Sequence, residues 1–240
     1  MGANMPKQYL PLRGQPIATY SLRLFAALPS VGEIVVVCDP SYRDVFTSAQ
    51  LPRAVPLSFA LPGKERQDSV FNGLQAIRPA AQLVAIHDSA RPLVTRQGVC
   101  RMYTSAHLHL TKPPLCFLVP PEIEAVFRDA AAHGAAVLGV QTKATIKQAR
   151  ADRFVERTLD RSTLWEMHTP QVIQPDILRR GFALVAEKGL AVTDDVSIVE
   201  ALGLPVLITQ GQYTNLKVTT PEDMFIAERL LDERQQHTTK

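Results

Sequence analysis

The sequence predicts an α/β fold, a mostly parallel sheet with helices on both faces. Three observations lead there. Short β-branched runs alternate with stretches of helical period along most of the chain, a succession that builds parallel sheets through right-handed crossovers. The 240 residues suit one large α/β domain. Segment 82–94, Q-L-V-A-I-H-D-S-A-R-P-L-V, sets a polar cluster directly after an apolar run, and open α/β sheets hold their ligands beyond the carboxyl ends of strands.

Each element has its own local reason. Ile17, Tyr20, Leu24, Ala27 and Leu28 recur at helical spacing, which predicts a helix over 16–28 with Pro16 in its first turn. Residues 34–38 are a β-branched run closed by Asp39-Pro40, a strand and a turn. A short helix is expected over 41–49, then a strand over 55–61 ending in Pro62-Gly63. Val70, Leu74 and Ile77 share one helical face over 65–77, and a strand follows at 83–86. Residues 97–121 break the pattern: two Pro-Pro pairs and no sustained period mark an atypical insertion. A helix resumes over 123–133, then a buried strand over 135–140. Residues 141–160 read as a projecting β-arm with short strands at 143–147 and 154–159. An isolated hairpin is marginal in water, so the arm is expected to pack on another subunit. Helices at 175–188 and from the T-D-D at 193–195, strands at 206–209 and around 215–218, and a helix from Pro221 complete a single domain over 1–240. Thr193 or Asp194 is the expected N-cap at T-D-D.

Composition narrows the function classes. Hydrophobic residues make up 46% and charged residues 20%, ordinary for a globular chain. A net charge of +3, from 26 basic and 23 acidic residues, is too balanced for general nucleic-acid binding. No apolar run approaches the ~20 residues of a membrane span, and no signal or transit pattern opens the sequence. Cys38, Cys100 and Cys116 have no framework spacing, which points to a reducing compartment.

Four groups can carry chemistry. Pro6-Lys7-Gln8-Tyr9 holds a lysine in a constrained loop. Residues 62–70 make a glycine turn entering a helix, whose backbone N–H groups can read a base edge or an anion. His87, Asp88, Ser89 and Arg91 end a central strand, and Lys217 points opposite to Leu216 and Val218 on a late one. Singly, these read as solvated lysines, an ordinary turn and a surface Asp–Arg pair worth under ~1 kcal/mol. Together they suit transfer to or from a phosphate, which needs positive charge around anionic oxygens and a carboxylate for Mg²⁺. No motif for a covalent nucleophile is present, and no G-x-G-x-x-G follows a strand, which argues against a dinucleotide oxidoreductase. His107, His109 and Cys116 lack a fourth ligand at zinc spacing.

Eight motifs occur in order: P-K-Q-Y-L-P-L (6–12), G-K-E-R-Q-D-S-V (63–70), H-D-S-A-R-P-L-V (87–94), G-A-A-V-L-G-V (134–140), T-L-D-R-S-T-L-W (158–165), T-P-Q (169–171), T-D-D (193–195) and N-L-K-V-T-T-P-E-D (215–223). The set resembles the 2-C-methyl-D-erythritol 4-phosphate cytidylyltransferases, in their plant and algal form, across nearly all the chain except 97–121. The resemblance implies a Rossmann-like homodimer of the plastid stroma. It implies that CMP passes from CTP to methylerythritol phosphate, releasing pyrophosphate, with Mg²⁺ or another divalent cation. The step belongs to the non-mevalonate route to isoprenoid precursors. By the same resemblance, Lys7 stabilises the transition state, and Arg161 and Lys217 position the acceptor, Arg161 reaching the neighbouring subunit's site. Asp88, Arg91, Thr145, Thr169 and Thr193 line the acceptor region, with Asp88 on the metal. Gly2, Gly63, Ser69 and Ser89 hold the nucleotide. The alternatives are a cytidylyltransferase for another polyol phosphate, such as ribitol 5-phosphate, and a non-catalytic remnant.

Two departures set further expectations. The family pattern opens with a strand and a loop of the type A-G-G-x-G-x-R-M-G, of which Met1-Gly2 matches only the tail. A missing first strand would expose two neighbouring strand edges and leave the chain poorly stable and nearly inactive. Residues 97–121 are expected to be retained intron sequence or a surface insertion.

Overall fold

The structure, a computed structural model, describes residues 5–95 and 122–238. Gly2, Cys100, Cys116, His107 and His109 therefore lie outside the described residues, as does the 97–121 insertion.

The strands are β1 (Pro11–Leu12), β2 (Gln15–Pro16), β3 (Ile34–Val37), β4 (Leu57–Ala60), β5 (Val84–Ile86), β6 (Ala135–Gln141), β7 (Lys147–Ala149), β8 (Val155–Thr158), β9 (Trp165–Ile173) and β10 (Leu207–Gln210). The helices are α1 (Ile17–Ala26), α2 (Arg43–Thr47), α3 (Arg66–Gln75), α4 (Glu122–His133), α5 (Pro175–Lys188), α6 (Asp195–Ala201) and α7 (Pro221–Thr238). Local chemistry sets their ends. Pro175 opens α5 and Gly189, at φ 59°, closes it in the left-handed conformation. Asp194 caps α6 reciprocally with Ser197, so the cap is Asp194 and not Thr193.

β6 is the spine of the core. Its first six residues are all buried, the uninterrupted apolar run of a strand covered on both faces. Ala135 and Val137 pack toward α5 and α6, whereas Ala136 and Leu138 pack toward α1 and α4. The alternation puts helices on both sides of the sheet, as expected.

The sheet runs β10-β6-β9-β5. β10 is parallel to β6, but β9 runs against both of its neighbours, so the sheet is mixed. β9 is not among the strands the sequence predicts, and Pro170 in its middle is unusual for an inner strand. The structure accommodates it: pairing with β5 ends at Gln171, and the register with β6 shifts between Val137 and Gly139. Pro170 sits in that bulge, where no ladder hydrogen bond is needed.

β3 and β4 form a separate parallel pair. Among the described residues, β3 pairs only with β4 and β5 only with β9. Between these two open edges lies a cavity of about 870 Å³, lined by Ile34–Val37, Val84–Ile86 and flanking residues of α1 and α3. This cavity is the slot between β3 and β5.

Two strand expectations are corrected. The arm's second strand, β8, lies within the expected 154–159, with Leu159 N donating to Ile146 O, but its first strand is 147–149 and not 143–147, because Thr142 and Lys143 instead lead out of β6 beside Leu164 and Tyr213. Residues 215–218 form no strand; they are extended coil that donates from Val218 N to Ala90 O at 2.8 Å. Among the described residues, no helix is long and apolar enough to cross a membrane.

Candidate active site

Asp88 follows the carboxyl end of β5 and is the hub of the site. Lys217 Nζ lies 2.8 Å from its carboxylate, Arg66 Nη2 3.5 Å and Arg91 Nε 3.9 Å. Burial pushes the Asp88 carboxyl up, but the Lys217 bond, backed by Arg66 and Arg91, outweighs it and the pKa falls below the ordinary value. The group is a carboxylate at neutral pH.

The bulge in β9 delivers Thr169 to the same place. Thr169 Oγ1 accepts from Asp88 N and meets His87 Nδ1, each at 3.1 Å. Arg91 Nη1 donates to Asn215 O at 2.6 Å, and Asn215 Nδ2 donates to Thr169 O at 3.0 Å. This network ties the segment carrying Lys217 to the strand end without a strand of its own.

The glycine turn is fixed from within. Gly63 N donates to Ser69 Oγ at 2.9 Å, and Ser69 Oγ donates on to Glu65 O at 3.1 Å. A Cβ at Gly63 would stand 2.1 Å from Asp68 Cβ, so only glycine fits. Arg66, the first residue of α3, forks onto Asp195 at 2.8 and 2.7 Å while touching Asp88. Gln171 then accepts from both Asp195 N and Val196 N. Sequence reasoning missed Arg66, Asp195, Gln171 and Asn215; the signal available was their place inside the quoted motifs.

The sequence-predicted residues divide as follows. Asp88, Arg91, Thr169 and Lys217 are in one bonded cluster, with Ser89 beside it. Gly63 and Ser69 make one turn, which Arg66 ties to that cluster. Lys7 sits on a single 3-10 turn, Lys7–Tyr9; its neighbours Gln8 and Tyr9 line the same cavity as Arg66, Asp88 and Ser89. Arg161 donates to Lys143 O at 3.1 Å, at the base of the arm with the exposed Thr145. Neither joins the Asp88 network within one chain. Thr193 is exposed, and it is its neighbour Asp194 that Gln171 Nε2 holds, at 3.0 Å.

Among the described residues, no group of three His, Cys, Asp or Glu side chains could hold a metal alone. Asp88 faces three cations, one of which, Arg66, it shares with Asp195. A divalent cation held there would have to draw most of its ligands from outside the protein.

Cations gathered around one carboxylate at a strand end, with a glycine turn tied to it through Arg66, are machinery for phosphates, and on this fold they define a nucleotidyltransferase. The comparisons carry this further. The sequence pattern of the family described as 2-C-methyl-D-erythritol 4-phosphate cytidylyltransferase matches residues 1–115 and 114–233. The chain belongs to that family. A chloroplastic 2-C-methyl-D-erythritol 4-phosphate cytidylyltransferase of Oryza sativa is 54% identical over 98% of this chain and 71% of its own. The Chlamydia pneumoniae protein of the same name is 40% identical over 96% of this chain and 92% of its own. The crystal structure of the Thermus thermophilus protein of that name superposes with a TM-score of 0.70 at 28% identity, covering 94% of this chain and 93% of that one.

Proposed function

We propose that this cytidylyltransferase moves CMP from CTP to 2-C-methyl-D-erythritol 4-phosphate and releases pyrophosphate, in isoprenoid biosynthesis. The observation that carries the reading is the convergence of Lys217, Arg66 and Arg91 on Asp88. The acceptor's phosphate monoester, with a second pKa near ~6, is largely a dianion at neutral pH. One of its oxygens attacks the α-phosphorus of CTP, the bond to the β-phosphate oxygen breaks, and both electrons leave with pyrophosphate. No general base is required, so the protein aligns the two phosphates and offsets their charge. Lys217 and Arg91 hold the acceptor phosphate, and Lys7 meets the α-phosphate. Gly63 and Ser69 present the cytosine turn, with Ser89 beside the nucleotide and Thr169 and Thr193 edging the acceptor. A Mg²⁺ ion held by Asp88 and the phosphates would neutralise the departing charge.

The exposed arm supports a homodimer. Its strands β7 and β8 are exposed along their whole length, and pairing would bring Arg161 and Thr145 to the partner's site. The likeness to a chloroplastic relative supports a plastid address.

The test is pyrophosphate release from CTP with methylerythritol phosphate and, in parallel, ribitol 5-phosphate. Turnover with the first and not the second is expected. Lys217→Ala and Arg91→Lys should each cut kcat/KM for the acceptor by roughly a hundredfold while leaving the CTP KM within about threefold. Preference for ribitol 5-phosphate would overturn the acceptor assignment.

A further inference from the structure

Residues 211–218, which carry Lys217, are extended coil fixed by a series of anchors rather than by a sheet ladder. Gly211 N donates to Gly139 O and Val218 N to Ala90 O, each at 2.8 Å. Between them, Gln212 N donates to the Glu122 carboxylate at 2.6 Å and Asn215 Nδ2 to Thr169 O at 3.0 Å. These four fasten the segment to the core and to the Asp88 cluster. Tyr213 reaches elsewhere. Its Oη donates to the carbonyl of Gln141, the last residue of β6, at 2.7 Å. Lys143 Nζ stands 3.4 Å from the centre of its ring, a cation–π contact. Tyr213 is 46% exposed, so its ring gains little from burial, and these two directional contacts are what fix it.

Both contacts end at the base of the arm. Gln141 is paired with Trp165, and its Nε2 donates to Ser162 O at 2.8 Å. Lys143 O accepts from Arg161 Nη1 at 3.1 Å. Thr142, between them, is locked in place by Thr142 N on Leu164 O at 3.0 Å and by its hydroxyl on Glu166 at 3.1 Å. One side chain thus joins the mounts of two cations. Lys217 follows Tyr213 by four residues and faces Asp88 of its own chain. Arg161 is held by the residue under which the Tyr213 ring lies, and it stays outside the Asp88 network of its own chain.

We propose that Tyr213 is a positioning residue for both sites of the homodimer. Through the backbone to Lys217 it aligns the site of its own subunit, and through Gln141 and Lys143 it aligns Arg161 for the partner's site. The inference rests on the homodimer reading above, in which the arm brings Arg161 across, and adds a mechanical link between the two sites. Without the two contacts, the Lys217 segment and the arm base shift independently, and small misplacements of a phosphate-holding cation are expensive in rate.

The test uses mixed dimers of the full chain, isolated through two different affinity tags. One protomer carries Lys217→Ala and its partner carries Arg161→Ala, so a single site keeps both cations: that of the second protomer, served by Arg161 of the first. Tyr213→Leu added to the first protomer can reach the working site only through Arg161; added to the second, it acts through Lys217. Each placement should raise the KM for methylerythritol phosphate by about five- to tenfold and leave the CTP KM within about twofold. Tyr213→Phe, which keeps a ring beneath Lys143 and loses only the Oη bond, should raise it by less. A merely structural loss would lower the amount of working dimer and the maximal rate without moving that KM. An unchanged acceptor KM in either placement of Tyr213→Leu would overturn the inference. A mixed dimer no more active than the two singly altered homodimers would instead sink the homodimer reading beneath it.

Discussion

His87 is enclosed by the Phe25 ring, 5.1 Å away edge-on, by Thr169 Oγ1 and by the carbonyl of Arg91. Burial lowers its pKa from 6.5 to about 4, against the opposing hydrogen bond and Asp88 charge. The folded chain therefore holds the ring neutral. The stability this contributes is complete above pH 6.5 and is lost as pH falls toward 4. His87→Asn, which leaves Thr169 a partner, should remove on the order of 3 kcal/mol of the stability lost across that interval and so flatten the fall in melting temperature. Parallel pH profiles of the two proteins would contradict this. Gly63 gives a second single-residue prediction. Gly63→Ala forces Asp68 aside and should weaken CTP binding by about tenfold in calorimetry, with the far-ultraviolet spectrum preserved. At this scale the sequence revealed Asp88, Arg91 and Lys217, because polar residues after a strand follow a local rule. It hid Arg66–Asp195, whose partners are 129 residues apart and leave no periodic trace.

Elements were legible in proportion to how local their causes are. β6 and α5 declare themselves by an apolar run and by a proline–glycine frame. β9 does not, since its polar residues and Pro170 make sense only beside the bulge against β6. The same holds for the start of α4. Glu122, the helix's first residue, is 2% exposed and accepts from Thr95 N, Thr95 Oγ1 and Gln212 N. It fastens the loop after Asp88 to the segment that leads to Lys217. Burial raises its pKa above 4.5 in spite of those bonds. Its contribution is thus fully present below pH 4.5 and declines as pH rises through the raised value, the opposite sense to His87. Glu122→Gln loses an acceptor and should cost about 1–3 kcal/mol. The difference in melting temperature between the original and Glu122→Gln should shrink from pH 4.5 to 7; a growing difference would refute the assignment.

For the whole molecule, the decisive feature is the slot between β3 and β5. α1 and α3 cover it on its two faces, so a strand that filled it would need an unbroken apolar sequence. Tyr9, stacked on Tyr42 at 3.9 Å and packed with Cys38 just past β3, puts the beginning of the described chain at the carboxyl end of that strand. An apolar five-residue strand joined ahead of Pro6 by a short glycine link should therefore raise the melting temperature by roughly 4–8 °C. A copy of the extension with proline at its centre should not. Amide exchange at Val35, Val37 and Ala85 should slow only with the first extension. A chain in which that slot stayed vacant would offer backbone amide and carbonyl groups of β3 and β5 to any extended peptide, including a partly unraveled neighbour of the same sequence. Loss of soluble material should then accelerate with the square of concentration, and dilution should protect it better than cooling.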